Sequence, residues 1–562
     1  MTTSLLIAKL SLMVVLAAYL PLFLGVRRGR RPLAVVLVAA TATLFVFSGL
    51  ALGDTADLDA LLAGRAALIA GGAVALIAVI AALTWLAWRF PAWALPAVVA
   101  VMPLRIPVPL GDRSAYLLLP LYAGILAILI AEVVIRDRLR PPSGATRETV
   151  GAGHLPPALD RPLDPLRLSL AAFIALAGLS VFWAGSGWGA DALGAAWRSE
   201  VFGAGLVEMM AFLLPFGIVT MLTFRYVADG DGLRRVLLTV IGSGVVLAVI
   251  GIVQYPTRWL VFNRSGIMDD YELGNGFRVN SLFWDPNMFS RFLIVALLLS
   301  IGLMVAVPLW RRRLAAAAFL LAGANLLTLS RSGWMAFAVG FIVFAFAWLG
   351  RRRGAAVAGA AVLVLLLAGG LLLAARGVSV TRAKLERPWG INKLTGGRLY
   401  LGEAALKMTA DRPAGGVGYG AFSLAYPDYR NRHASKRLSE SHTTPLTLLA
   451  ELGVPGLLVF LSVVWAAFDT TLRRRRLPGL ETAPVRAGPG GADIADDGSA
   501  GKDDARRLYL IRAALGAVVA AVLVHSLLYN AFFEDPYLWL TFGLSLATAY
   551  RLSGWRPYDV RD

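Results

Sequence analysis

Residues Met288 to Arg353 read MFSRFLIVALLLSIGLMVAVPLW-RRR-LAAAAFLLAGANLLTLS-R-SGWMAFAVGFIVFAFAWLG-RRR, three apolar runs set off by two arginine triplets and one lone arginine. A helix needs about 20 mostly apolar residues to cross a bilayer. The run 288–309 supplies that length with Arg291 as its one charge. The next two runs, 314–330 and 333–350, form a tight pair joined at Ser330-Arg331-Ser332. Going out and back through such a pair puts Arg311–Arg313 and Arg351–Arg353 on one face. Short arginine-rich loops mark the cytoplasmic side.

Working outward, the same pattern recurs. Further spans are expected near 4–26, 33–53, 66–88, 91–110, 115–135, 168–187, 201–224, 236–255, 354–375, 445–469, 508–531 and 536–552. Alternating them also places the clusters Arg27–Arg31 and Arg473–Arg476 on the cytoplasmic face. The fold class is therefore all-α, a polytopic transmembrane bundle of about 12–15 spans with short helices in a large extracytoplasmic loop. Its weakest member is 91–110, where Pro96, Pro103, Pro107 and Pro109 would kink or end a helix. The first apolar run lacks a basic leader and a small-residue cleavage site, and reads as a retained span.

Composition agrees. Of 562 residues, 58% are hydrophobic and 16% charged, more apolar surface than a soluble core of this length would hide. The net charge of +19 sits largely in the arginine clusters between spans, so it sets topology and does not point to nucleic acid. Cysteine is absent, which excludes disulfides, thiolate catalysis and cysteine-bound metal.

The expected organisation is N-terminal spans over 1–135, a flexible cytoplasmic loop at 136–167, core spans over 168–375, a large extracytoplasmic loop at 376–444, and C-terminal spans over 445–562 interrupted by a flexible cytoplasmic loop at 473–507. The 376–444 segment carries twelve basic residues (Arg376, Arg382, Lys384, Arg387, Lys393, Arg398, Lys407, Arg412, Arg430, Arg432, Lys436, Arg437) against Glu386, Glu403, Asp411, Asp428 and Glu440. A basic outer loop suits either a solvated face or a funnel that draws in an anionic substrate. Within it, Arg398 to Arg412 is expected to form a surface helix, with Leu399, Ala405 and Leu406 on one side and Pro413 and Gly415-Gly416 as its stop. Gly415 to Gly420 lacks the Lys-Ser/Thr ending of a nucleotide loop and reads as a tight turn with close backbone approach.

Four histidines are present: His154 in a cytoplasmic loop, His433 in the basic stretch, His442 where the outer loop re-enters the bilayer, and His525 inside a late span. His525 suits a satisfied intramembrane polar group. His442 could be structural, but an imidazole there is well matched to taking a proton from a sugar hydroxyl. Arg331 is either a snorkelling interfacial residue or a fork of donors for phosphate. Arg398 follows two glycines at a helix start, where backbone N–H groups favour anions. Arg278, ahead of the Asp285-Pro-Asn287 turn, is either positional or part of the same site. No metal-ligand spacing is visible.

Taken together, Arg278 with Asp285-Pro-Asn287, Ser330-Arg331-Ser-Gly-Trp334, Gly397-Arg398, Gly416-Val-Gly-Tyr-Gly420, Ser441-His442 and Glu451-Leu-Gly-Val-Pro-Gly456 resemble the O-antigen ligase superfamily. That superfamily includes the ligases that attach O-antigen to lipid A-core and the related polymerases. The resemblance covers roughly residues 200–470. It implies a metal- and cofactor-independent glycosyltransferase in the bacterial cytoplasmic membrane, its active site facing the periplasm. The donor would be a polyprenyl-diphosphate-linked glycan and the acceptor a glycan, lipid or protein. It further implies that Arg331 and Arg398 engage the diphosphate with Arg278 assisting, that His442 is the base, and that Asn287 and Glu440 give support. Two features depart from the family pattern: Thr443-Thr444 follows the histidine where an Asn is common, and there are more spans than the usual dozen. A lipid-linked-glycan flippase and a non-catalytic scaffold are the competing classes; transporter sites lie near the midplane on broken helices with internal repeats, and no repeat is visible here.

Overall fold

A computed structural model of the chain describes residues 3–24, 66–110, 113–132, 164–183, 195–227, 229–272, 276–375, 398–431, 443–472, 499–529 and 531–551. Among them seven helices are long and apolar enough to cross a membrane: Pro165–Phe182, Glu200–Tyr226, Gly230–Thr257, Pro286–Ala306, Arg331–Ala360, Thr444–Leu472 and Asp503–Ser526. Shorter apolar helices are Lys9–Phe23, Val74–Arg89, Pro91–Val101 and Leu119–Ile130. The chain is an all-α, multi-pass membrane protein. The span expected at 33–53 lies outside the described residues.

Two local expectations change. The run 91–110 is not one span: its helix stops at Val101, and Ile106–Leu110 pairs antiparallel with Arg113–Leu117 in a two-stranded hairpin. Pro107 and Pro109 lack the N–H a helix interior needs, and a ribbon that is all edge tolerates them. The stretch read as a loop up to 507 becomes helical at Ser499. Its Lys, Ala and Arg residues are good helix formers, and Arg507 pairs with Asp504 one turn earlier at 3.5 Å.

The chain divides into two compact units. The first is drawn from Met1–Met102, Ile106–Val219 and Leu394–Val463; the second from Pro103–Arg105, Thr220–Lys393 and Val464–Asp562. In the first, small residues let helices approach closely, as expected where lipid removes the hydrophobic drive between helices. Gly178 lies against Leu16, and the Tyr19 hydroxyl donates to the Leu214 carbonyl at 3.1 Å. The helix Arg398–Asp411 forms as expected, but with a different buried face. Leu401, Ala404, Ala405 and Met408 pack with Phe422, Ala425, Tyr426 and Ala450, whereas Leu399 and Leu406 are exposed. Positions 401, 404, 405 and 408 follow the i, i+3, i+4, i+7 spacing of one helical face, and the short helix Phe422–Tyr429 covers it.

In the second unit the helix Pro286–Ala306 is the central post. The helices Gly230–Thr257, Arg311–Leu327, Arg331–Ala375 and Ser499–Ser526 surround it. Gly244 meets Ala296, Gly302 meets Ala514, and Gly340 meets Leu298 and Ala521. The long helix from Arg331 breaks at Gly350, whose φ of 76° lies in the left-handed region that glycine occupies without penalty. A Cβ on Gly354 would lie 2.8 Å from the Phe346 Cα, so the chain folds back on itself there, beside Arg351–Arg353.

Candidate functional site

The second unit holds Arg278, Asn287 and Arg331. Irregular backbone buried in protein must have its polar groups paired, and the segment from Phe277 to Trp284 meets that demand through a buried glutamine. Gln254 accepts from the backbone N–H of Ser281 at 2.7 Å and of Asn280 at 3.3 Å, and donates to the Ser281 carbonyl at 3.0 Å. The Asn280 amide donates to the Phe283 and Phe262 carbonyls, and the Ser281 hydroxyl to Leu247. On the flank, Arg258 stacks its guanidinium on Phe277 at 4.2 Å and on Tyr255 and Tyr271 at 5.0 and 5.1 Å. Asp285 then caps the next helix, accepting from the Asn287 N–H at 2.6 Å, with Pro286 in the first turn where its missing N–H costs nothing.

This anchored segment presents Arg278 to the turn between the helices Arg311–Leu327 and Arg331–Ala375. Arg278 donates through Nε to the Thr328 carbonyl at 2.9 Å and through a terminal nitrogen to Asn287 Oδ1 at 2.8 Å. The Ser330 hydroxyl donates to the same oxygen at 2.8 Å and accepts from the Gly333 N–H at 3.2 Å, so it also caps the helix. Leu329 takes a φ of 51° to make the turn. Gly333 must be small, because a Cβ would collide with the Ser290 hydroxyl. The Asp285-Pro-Asn and Ser-Arg-Ser-Gly motifs are thus two sides of one hydrogen-bonded hub.

Arg331 is the first residue of its helix and is exposed. Among the described residues no hydrogen bond or ion pair holds its guanidinium. A cation at a helix N-terminus opposes the backbone dipole; paired with an anion, it and the free N–H groups act together.

The first unit holds Arg398, at the start of the described part of the helix Arg398–Asp411. Desolvation lowers its pKa from the ordinary arginine value, and it stays charged at neutral pH. The glycine motif makes the close approach read from the sequence. Gly416, Gly418 and Gly420 have φ of 63°, 108° and 75°. The Val417 and Gly418 N–H groups donate to the carbonyls of Ala450 and Glu451, both at 2.9 Å. Gly453, with φ of 67°, breaks the helix Thr444–Leu472, and the Val454 N–H returns to the Pro413 carbonyl at 2.8 Å. The buried Glu451 carboxylate accepts from the Phe422 N–H at 3.1 Å. The motifs Gly416–Gly420 and Glu451–Gly456 are therefore two halves of one clasp. His442 and Glu440 lie outside the described residues, as do His154 and His433.

Three polar residues of the second unit escaped sequence reading as site members: Gln254, Ser332 and His525. Ser332 Oγ lies 3.2 Å from Ser330 Oγ and 3.4 Å from His525 Nε2. His525 is fully buried, and Arg291 directs Nε and a terminal nitrogen at its Nδ1 at 3.1 and 3.0 Å. The intramembrane charge of Arg291 was a signal for these contacts, since such a residue needs partners. It donates further to the Ala531 and Tyr529 carbonyls and lies 3.8 Å from Asp535.

A family model described as O-antigen ligase matches residues 316–461. Residues 316–461 are thus similar to the O-antigen ligase family. The match takes in Arg331, Arg398, Glu440, His442 and both halves of the glycine clasp, and leaves Arg278 and Asn287 just ahead of it. It supports the O-antigen ligase and polymerase superfamily and, with it, a membrane enzyme that processes glycans. No curated protein matches the chain.

Proposed function

We propose that this protein transfers a glycan from a polyprenyl-diphosphate carrier to an acceptor hydroxyl at the outer face of the bacterial cytoplasmic membrane. The observation that carries the reading is the hub in which Arg278, Asn287 and Ser330 fix the turn before Arg331, which is exposed and which no described residue pairs. An arginine so presented, against the helix dipole, is suited to a ligand with several negative oxygens.

In this mechanism Arg331 and Arg398 hold the donor diphosphate and stabilise the charge that grows on it as the anomeric C–O bond breaks. Arg278 braces the turn that carries Arg331 and adds its own charge. His442 takes the proton of the attacking hydroxyl, and the new C–O bond forms on the face opposite the leaving diphosphate, inverting the anomeric centre. Asn287 supports the hub and Glu440 supports His442. No nucleotide, metal or covalent intermediate takes part. The acceptor, whether lipid, protein or a second carrier-linked glycan, decides between ligation and polymerisation. A polymerase gives a ladder of products and a ligase a single junction.

The test is turnover of carrier-linked glycan by the purified protein in detergent, where transport cannot register. His442→Ala should abolish transfer and leave donor binding intact. Full activity of that variant would remove the assigned base.

A further inference from the structure

The polarity of the hydrogen bonds around His525 follows from Arg291. A guanidinium has donors and no acceptor, and two of its nitrogens point at Nδ1. That nitrogen must therefore be a bare acceptor, and the imidazole proton sits on Nε2. The Nε2–H is then the group that meets Ser332 Oγ at 3.4 Å. With Ser332 Oγ accepting, its own proton is directed to Ser330 Oγ at 3.2 Å. Ser330 in turn gives its proton to Asn287 Oδ1, which is also the oxygen that holds Arg278. Ser330 Oγ then makes one donated and two accepted bonds, counting the Gly333 N–H, and has no capacity left.

The hydrogen bonds from His525 to Asn287 therefore all run in one direction, and Arg278 meets their end from the other side. They pass through Ser332 and the buried Ser330 and terminate on an asparagine oxygen with two donors. Arg291 sets that direction from behind, itself fixed by the Ala531 and Tyr529 carbonyls. A buried His–Arg pair serving only to join two helices would need none of the links beyond Nδ1.

We infer that His525 is a positioning residue: held as a single tautomer by Arg291, it orients Ser332 and Ser330, and through them Arg278 and the turn that presents Arg331. The inference rests on the transfer reading above, since what is positioned is the proposed diphosphate-binding pair.

The test uses the full-length protein in detergent with a fluorescent polyprenyl-diphosphate-linked oligosaccharide. It reads KM for the donor, kcat and the unfolding temperature. Ser332→Ala cuts the relay but leaves the Arg291–His525 pair. It should raise the donor KM about tenfold, the upper worth of one neutral hydrogen bond, with the unfolding temperature unchanged. His525→Phe fills the volume with neither acceptor nor donor, and should raise KM at least as much. His525→Gln offers a carbonyl oxygen to Arg291 and an amide N–H to Ser332, and should recover most of that loss. Wild-type KM in both Ser332→Ala and folded His525→Phe would overturn the inference, as would a Gln variant no better than Phe. If His525→Phe does not fold, Ser332→Ala and His525→Gln decide alone. A wild-type protein that turns over no carrier-linked glycan would instead overturn the transfer reading, and this inference with it.

Discussion

Arg331 opens a helix, where the backbone presents partial positive charge and a cation is disfavoured by about 0.3–1 kcal/mol. Arg278 is engaged by the Thr328 carbonyl and by Asn287. The two arginines should therefore fail differently. Arg331→Ala removes an exposed side chain that no described residue holds, so the unfolding temperature should stay put or rise slightly. Transfer should fall by the worth of hydrogen bonds to a charged ligand, about 1.5–3 kcal/mol, or roughly tenfold to more than a hundredfold. Arg331→Lys keeps the charge but not the fork, and should fall between. Arg278→Ala leaves a carbonyl and an amide oxygen short of a donor, at about 1–3 kcal/mol for each group that stays dry. It should lower both stability and activity. Thermal unfolding and donor turnover, measured together on the three variants, check this. An Arg331→Ala protein that unfolds well below wild type would show the residue to be structural.

At the scale of elements, the glycine clasp makes the clearest demand. A Cβ on Gly416 would run into the Glu451 carbonyl, and the residue's φ of 63° alone costs a non-glycine residue roughly 1–2 kcal/mol. Overpacking adds about 1–3 kcal/mol. Gly416→Ala should therefore be strongly destabilising, and Gly453→Ala, which would meet the Pro413 carbonyl, equally so. Gly242→Ala is the control: it lies in the helix Gly230–Thr257 with nothing within 4 Å of a Cβ, and should be neutral or stabilising by up to about 1 kcal/mol. Equal unfolding temperatures for the three would deny the clasp. Much of this element was legible beforehand. The glycine spacing announced a tight turn, and Pro413 announced the end of the helix before it. The partner of that turn was not legible, because Glu451 lies on another helix and no local pattern links the two. The same reason hid the face of Arg398–Asp411. Leu399 and Leu406 look as apolar as Leu401 and Met408, and only the Phe422–Tyr429 helix decides which pair is covered. His525 was readable as satisfied, but its route to Asn287 depends on Ser332 and Ser330, whose partner lies on a distant helix.

For the whole molecule, we propose an orientation from connectivity and the arginine clusters. In the proposed orientation the helix Arg311–Leu327 and the first part of the helix from Arg331 go out and back, which would put Arg311–Arg313 and Arg351–Arg353 on one face. The same orientation requires one crossing between Gly354 and the 376–444 segment and a return crossing by the helix Thr444–Leu472, ahead of Arg473–Arg476 in the sequence. Three clusters on one side satisfy the positive-inside rule, and the basic 376–444 segment is long enough to escape it. The absence of native cysteine makes the arrangement directly measurable, since a single introduced thiol labels without background. Ser435→Cys in the long segment should react with a membrane-impermeant maleimide on intact cells. Ser143→Cys and Gly479→Cys, in the two Pro- and Gly-rich connections, should react only after permeabilisation. The reverse pattern would turn the long segment toward the cytoplasm. A glycan already exported on its carrier could not then reach His442, and the proposed transfer would have no route to its donor.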